Sequence, residues 1–81
     1  MDLGDKVIVI TGASSGFGEQ IARRCAQAGA NVVLAARSAE RLDQLAGEFG
    51  TDRTLAVPTD ITHAADVERL TAATLERFGR A

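Results

Sequence analysis

Hydrophobic residues fall into six short blocks along the chain, and two patterns alternate among these blocks. Three blocks are runs dominated by β-branched and small apolar residues, at positions 6–10, 31–36 and 54–57. Runs without polar alternation are typical of strands that are buried on both faces of a parallel sheet. After each run, apolar residues recur at helical spacing. The pattern predicts an α/β fold with the element order βαβαβα.

Glycines and small polar residues mark where the predicted helices begin and end. Gly29 stands where the first helix needs a residue with left-handed backbone geometry to stop it. The second helix is predicted to begin near Ser38 and to stop at Gly50. For the last helix, Thr62 is the predicted N-cap and Gly79 the predicted stop. These boundaries divide the chain into three strand–helix units.

The order of the strands follows from chirality and from one proline. Pro58 cannot donate to a strand ladder and so belongs at a sheet edge or a strand end, which places the third strand outermost. Right-handed crossovers then predict three parallel strands in the order 3-2-1, with the first two helices on one face. The first strand would be an exposed Val/Ile edge, which complete open sheets avoid. A doubly wound fold would place a fourth strand there, so we expect this sequence to be truncated before strand 4.

The charge and composition of the chain exclude several classes of function. Its 81 residues include 11 acidic and 9 basic side chains, for a formal charge of −2. Because these charges are intermixed, no basic stripe is available for a nucleic acid. No apolar stretch approaches the ~18 residues of a membrane span, and the acidic N-terminus is unlike a signal peptide. With Cys25 as the only cysteine, neither a disulfide nor a metal site is expected, and a cytoplasmic location is predicted.

A glycine-rich loop, TGASSGFG, joins the first predicted strand to the first predicted helix. Gly12 suits the tight turn off the strand, Gly16 has no Cβ to block a pyrophosphate, and Gly18 lets the helix pack closely. The amides and partial positive charge of the helix N-terminus favour an anion, and the hydroxyls of Ser14 and Ser15 add donors. The loop therefore predicts a phosphate site. A loop that serves only to turn the chain is the other interpretation.

Two better-known phosphate loops do not fit this spacing. A P-loop requires Lys followed by Ser or Thr after its second glycine, where this chain has Phe17 and Gly18. The common dinucleotide pattern GxGxxG fails because Ile21 occupies the position of its third glycine. The spacing here is GxxxGxG, and we include Phe17 in the predicted binding loop.

The loop resembles the TGxxxGxG signature of the short-chain dehydrogenases/reductases, in the branch with a single compact domain. The resemblance covers the whole chain, because NVVLAAR, PTDIT and the terminal FGRA follow in the family's order. It implies that residues 1–81 are the N-terminal segment of a single NAD(P)-binding Rossmann domain, about the first third of an enzyme. It also implies hydride transfer between the cofactor and a hydroxyl or carbonyl substrate, and a homo-oligomer.

The end of the second strand bears on the choice of cofactor. An acid at this position would bind the ribose 2′-hydroxyl of NAD, but the chain has Arg37 and Ser38 there. The guanidinium of Arg37 could pair with a 2′-phosphate through charge-assisted hydrogen bonds. NADP is therefore predicted over NAD, and the resemblance agrees. Arg37 as a solvated surface charge is the other interpretation.

Asp60 and Ile61 follow the third strand, where the resemblance implies contacts with the adenine ring. The carboxylate of Asp60 would accept a hydrogen bond from the adenine amino group, and the neighbouring backbone would contribute. The carboxyl end of a parallel strand is a common place for a ligand. A loop acid or a helix cap is the alternative for Asp60.

No catalytic residue is predicted. The resemblance implies that the chemistry uses a tyrosine, a lysine, a serine and an asparagine beyond the fourth strand. This chain has no tyrosine, and its single lysine, Lys6, precedes the glycine loop. We therefore expect the 81 residues alone to be inactive. The alternative function is a non-catalytic nucleotide-binding or interaction module that pairs through the exposed edge of strand 1. His63 and Cys25 are assigned no role.

Overall fold

Three strands and three helices alternate along the chain, as the hydrophobic pattern predicts. The structure, a computed structural model, describes residues 4, 6–13 and 15–79. The elements in chain order are β1 (Val7–Thr11), α1 (Gly16–Gln27), β2 (Asn31–Ala36), α2 (Ala39–Phe49), β3 (Thr54–Pro58) and α3 (Ala64–Phe78). None of these helices is long and apolar enough to cross a membrane.

The strands form one parallel sheet with β2 in the centre, which confirms the predicted order. Val33 of β2 lies opposite Val9 of β1 on one side and Leu55 of β3 on the other. The central position explains the composition of β2, because a strand with neighbours on both edges and helices on both faces has no solvent-exposed side. Residues 32–36 are accordingly all buried.

The two faces of the sheet have separate apolar cores. Even-numbered positions of β2 pack beneath α1 and α2, and the largest members of that core are Ile10, Val32, Leu34, Leu42 and Leu45. Odd-numbered positions face α3, in a smaller core of Val33, Ala35, Val57 and Leu70. The prediction that the first two helices share one face is therefore confirmed, as the rule of right-handed crossovers requires when both connections advance in the same direction.

The outer edge of β1 is open in the described part of the chain. The sheet holds no strand beside β1, and α3 lies against β2 and β3. Val9, which points to the α3 face, is 38% exposed as a result. The predicted exposed edge is confirmed for these residues, and truncation before strand 4 stays a prediction.

Helix boundaries agree with the sequence at most positions and differ at one. Ser38 caps α2 through its side chain, and the left-handed Gly79 ends α3. Thr62, the predicted N-cap of α3, is not the cap; the N-cap is His63, whose side chain makes no capping hydrogen bond. The reason is that the Thr62 hydroxyl donates to Asp60 Oδ1 instead. The strand bounds also shift slightly, with β1 beginning at Val7 and β3 running through Pro58.

Candidate functional site

A cleft of about 490 Å³ lies where the carboxyl ends of the three strands meet. In open parallel sheets this edge is where ligands bind. The cleft is lined by Gly12, Ala35, Ala36, Arg37, Ser38, Thr59, Asp60, Ile61 and Thr62. Each of the three strands thus contributes the residues that directly follow it or end it.

Backbone hydrogen bonds beyond the regular strands bring the three loops together. The amide of Ala13 donates to the carbonyl of Ala35 at 3.3 Å, and the amide of Thr59 donates to the carbonyl of Ala36 at 2.7 Å. The buried hydroxyl of Thr59 donates back to the carbonyl of Val57 at 2.8 Å. These bonds extend the sheet by one step and fix the floor of the cleft.

The glycine loop is held by Gly12 and Ser15. Gly12 has φ +68°, a left-handed geometry that a residue with a side chain rarely adopts. Its carbonyl accepts from the Ser15 amide at 3.0 Å and from the Ser15 hydroxyl at 2.8 Å. The Ser15 oxygen in turn accepts from the Gly18 amide at 3.2 Å, as the N-cap of α1. The Ser15 hydroxyl, which was predicted to donate to a phosphate, therefore donates to the Gly12 carbonyl in this structure.

The first turn of α1 has backbone amides that are available to a ligand. The amides of Gly16 and Phe17 have no acceptor among the described residues, as expected at a helix N-terminus. Beyond its chain neighbours, no described residue has an atom within 4 Å of the place where a Cβ on Gly16 would be. The side chain of Phe17 is 77% exposed. Ser14 lies outside the described residues.

Arg37 and Ser38 form the rim of the cleft after β2. Arg37 is exposed, and no acidic side chain in the described ranges lies within ion-pair distance of it. The Ser38 oxygen accepts from the Arg41 amide at 3.3 Å, which leaves the Ser38 proton available for another acceptor. The rim thus offers a cation and a hydroxyl donor.

Asp60, after β3, supplies a negative charge to the cleft. Its Oδ1 accepts from the Thr62 hydroxyl at 2.6 Å and from the Thr62 amide at 3.0 Å. These two bonds, the hydroxyl first, hold the pKa of Asp60 below its ordinary value of 3.8, with smaller help from the charges of His63 and Arg37 against partial desolvation. Asp60 therefore stays ionised at neutral pH. The neighbouring Ile61 is 63% exposed.

An ion-pair network outside the cleft joins the first turns of α1 and α2. Glu19 Oε2 binds the Arg41 guanidinium at 2.6 Å, and Glu19 Oε1 binds Arg23 at 3.1 Å. Arg23 also reaches Glu48 at 3.0 Å. The hydrogen bond from Arg41, more than that from Arg23, holds the pKa of Glu19 below its ordinary value of 4.5. The network fixes the beginning of α1, which carries the glycine loop, relative to the beginning of α2.

Residues 6–81 match the family model described as short chain dehydrogenase. The chain belongs to the short-chain dehydrogenase family. An uncharacterized oxidoreductase of Staphylococcus aureus (strain USA300) is 44% identical over 77 residues, which are 95% of this chain and 33% of the relative. The chain thus spans about a third of the length of the curated relatives that it matches.

Solved structures of short-chain dehydrogenases have the same arrangement of strands and helices. A 3-ketoacyl-(acyl-carrier-protein) reductase from Brucella melitensis, complexed with NADH, is 49% identical, with a TM-score of 0.87 over 91% of this chain and 30% of that one. An alcohol dehydrogenase from Thermococcus sibiricus, complexed with 5-hydroxy-NADP, is 43% identical, with a TM-score of 0.85 over 91% of this chain and 33% of that one. The resemblance in the sequence is confirmed, and so is the fold.

The structure brings together five of the residues that the sequence singled out. The cleft is lined by Gly12, Arg37, Ser38, Asp60 and Ile61. The other described members lie beside it in the glycine loop, namely Ser15, Gly16, Phe17 and Gly18. Among the described residues, no group of three His, Cys, Asp or Glu side chains is placed to hold a metal. His63 is exposed, and Cys25 packs at the margin of the larger core.

Sequence reasoning missed Thr59 and Thr62 as members of the site. Thr62 left a signal, since an Asp followed two residues later by Thr is a common Asx-turn pattern. No sequence pattern indicated Thr59, because its buried position depends on the hydrogen bond from its amide to the carbonyl of Ala36.

Proposed function

We propose that the protein is an NADP-dependent oxidoreductase that transfers hydride between NADP(H) and a hydroxyl or carbonyl substrate. In this proposal the cleft and the glycine loop hold the adenosine diphosphate half of the cofactor. The observation that carries the proposal is Arg37, an exposed cation on the rim of the cleft that forms no ion pair with a carboxylate of the described residues.

The pyrophosphate would lie over the first turn of α1. The free amides of Gly16 and Phe17 point from the positive end of the helix, and the absence of a side chain on Gly16 leaves room for close approach. Ser14 is proposed as a further donor. Ser15 would either keep its bond to Gly12 or rotate its proton to the phosphate, and Gly18 keeps α1 close to the turn.

The 2′-phosphate of the adenosine ribose would lie between Arg37 and Ser38. Arg37 supplies charge-assisted hydrogen bonds, and Ser38 supplies its free hydroxyl proton. A carboxylate at this place would repel the phosphate and bind a 2′-hydroxyl instead. Because the similar solved structures include complexes with both NADH and 5-hydroxy-NADP, the choice between the cofactors rests on these two residues.

The adenine ring would lie against Ile61, with its amino group donating to Asp60. The low pKa of Asp60 supports this assignment, because an ionised carboxylate accepts hydrogen bonds more strongly than a protonated one. The exposed side chain of Ile61 offers apolar surface at the same rim, beside its own backbone groups.

The bound nicotinamide would give or accept the hydride, and these residues bind and orient the cofactor. We assign no catalytic residue to this chain, which has no tyrosine, and we expect the 81 residues alone to be inactive. Similarity to a ketoacyl reductase and an alcohol dehydrogenase supports a carbonyl or hydroxyl substrate. The small-molecule substrate, a homo-oligomer and a cytoplasmic location are part of the proposal.

The test is the ratio of the dissociation constants for NADPH and NADH, measured by calorimetry on the full-length protein. A hydrogen bond to a charged group contributes about 1.5–3 kcal/mol, so NADPH should bind about 10- to 100-fold more tightly. Arg37→Asp should reverse this preference. The matched control is Arg24→Asp on the exposed surface of α1, which should leave the ratio unchanged.

Equal affinities in the unmutated protein would contradict the role of Arg37. A loss of both affinities in Arg37→Asp, without reversal, would show that Arg37 contributes to binding but does not discriminate between the cofactors.

A further inference from the structure

Within the described residues, one oxygen of the Asp60 carboxylate accepts two hydrogen bonds and the other accepts none. Both hydrogen bonds from Thr62 go to Oδ1, at 2.6 and 3.0 Å. The Nδ1 atom of His63 is 3.6 Å from Oδ2, which is beyond hydrogen-bond distance. Oδ2 therefore has no donor among the described residues, although Asp60 lines the cleft.

The backbone that carries Asp60 is held by the first two turns of α3. Asp66 Oδ2 accepts from the Asp60 amide at 2.9 Å, and Arg69 donates to the carbonyl of Pro58 at 2.5 Å. Asp66 Oδ1 and Arg69 are themselves 3.6 Å apart. The main chain is thus bound on both sides of Thr59, so its position depends on side chains of a helix on the opposite face from the glycine loop.

Capping of α3 is not the role of the Thr62 hydroxyl. The N-cap of α3 is His63, and the Thr62 hydroxyl bonds to no amide of that helix. Thr62 is also exposed, so it contributes little to the core. What its hydroxyl and amide do in this structure is to hold the Asp60 carboxylate in one orientation.

We propose that Thr62 and Asp66 are positioning residues for the adenine subsite, with Thr62 occupying Asp60 Oδ1 so that Oδ2 accepts from the adenine amino group. This inference rests on the adenine role given to Asp60 in the proposed function. Preorganisation is the physical reason, because a carboxylate already fixed in one orientation loses less rotamer freedom when the ligand binds. Asp66 fixes the backbone beneath it.

The test compares NADP with its purine analogue, in which hydrogen replaces the adenine amino group. Both dissociation constants are measured by calorimetry on the full-length protein and its variants. The unmutated protein should bind NADP about 10- to 100-fold more tightly than the analogue, which is the size of one hydrogen bond to a charged group. Thr62→Val should reduce this ratio several-fold by weakening NADP alone.

Four further variants separate positioning from folding. Thr62→Ser keeps both donors and should restore the ratio. Thr71→Val makes the same substitution on the exposed side of α3, where the hydroxyl bonds only to Val67, and should leave the ratio unchanged. Asp66→Ala should lower the ratio, while Glu68→Ala, at an exposed position of the same helix, should not.

The outcomes distinguish this inference from the proposed function. If the unmutated protein fails to discriminate NADP from the analogue, the adenine role of Asp60 is wrong and the inference falls with it. If the unmutated protein discriminates and Thr62→Val keeps the same ratio of the two dissociation constants, Asp60 binds adenine without positioning by Thr62. In that case the inference alone is overturned. Equal weakening of both ligands by Thr62→Val would also overturn it, because that is the signature of a merely structural role.

Discussion

The carbonyl oxygen of Gly12 occupies the space that a Cβ on Gly18 would need. A Cβ built there would overlap this oxygen and would lie 3.0 Å from the Gly12 carbonyl carbon and 3.2 Å from the Ala13 Cα. The obstacle is backbone and cannot rotate away. The first turn of α1 therefore packs against the turn that follows β1 only because position 18 has no side chain.

Gly18→Ala should accordingly destabilise the folded protein. Separating α1 from the turn would strain the backbone and disturb the hydrogen bond from the Gly18 amide to Ser15. We expect a loss of about 1–3 kcal/mol in the free energy of unfolding, the usual cost of overpacking. Urea denaturation of the full-length protein measures it. An unchanged midpoint would mean that the loop relaxes freely and that close packing is not what position 18 requires.

Gly47→Ala should have the opposite effect. Gly47 lies within α2, where a Cβ would meet no atom of the described chain within 4 Å and φ is not positive. Replacing a helical glycine with alanine reduces the entropy of the unfolded chain and stabilises by about 0.5–1 kcal/mol. The same denaturation experiment should show a higher midpoint. This variant is also the matched control for Gly18→Ala, since the two changes differ only in what surrounds the new methyl group.

Gly16→Val should remove cofactor binding and leave the fold intact. The space above Gly16 is open, so a valine there clashes with no other part of the described chain. It would instead fill the volume that we assign to the pyrophosphate. We expect no detectable binding of NADPH or NADH by calorimetry, with a thermal midpoint of the free protein close to that of the unmutated form. Binding at full affinity would exclude the first turn of α1 as the pyrophosphate site.

The ion pair between Glu19 and Arg41 should make stability depend on acidic pH. The pKa of Glu19 is lower in the folded protein than its ordinary value of 4.5, chiefly because Arg41 donates to it. Stabilisation by this carboxylate is thus complete above the ordinary value and is lost as the pH falls through the lower, folded pKa. The difference in thermal midpoint between the unmutated protein and Glu19→Gln should be largest near neutral pH and should disappear in acid.

A control and a salt titration complete that experiment. Glu68→Gln makes the same change at an exposed position of α3 and should not reproduce the effect of Glu19→Gln on the thermal midpoint. Because the Glu19 pair is near the surface, added salt should reduce the difference in thermal midpoint between the unmutated protein and Glu19→Gln at neutral pH. A difference that persisted unchanged in acid would point to packing by the Glu19 stem and not to its charge.

The local pattern of the chain was enough to predict every element and the place of the cleft. Strand β2 was predicted with its observed bounds, Asn31–Ala36, because a run buried on both faces has a distinctive composition. Gly12 and Arg37 were predicted to bind one cofactor from the glycine spacing and from the end of the second strand, and the family resemblance added Asp60. The structure places all three in one cleft, because the carboxyl ends of parallel strands meet at one edge of the sheet. Pro58 placed the third strand at an edge, and right-handed crossovers then gave the strand order.

Contacts between elements could not be predicted in this way. Thr62 was expected to cap α3 and instead binds Asp60, because the choice depends on how the loop after β3 is held by Asp66. Ser15 was expected to present its proton to a ligand, but the turn at Gly12 places a carbonyl oxygen within its reach. In both cases a hydroxyl could satisfy more than one partner.

The sequence by itself determined the element order, the parallel sheet and the family, because apolar periodicity, glycine spacing and backbone chirality are local properties of the chain. Only the tertiary structure decided which hydroxyl meets which acceptor, that Glu19 pairs with Arg41, and that Gly18 lies against Gly12. The physical reason is that these contacts join residues whose distance is set by the packing of helices on the sheet. That packing determines which side chains come within hydrogen-bond distance, and a local sequence pattern does not contain this information.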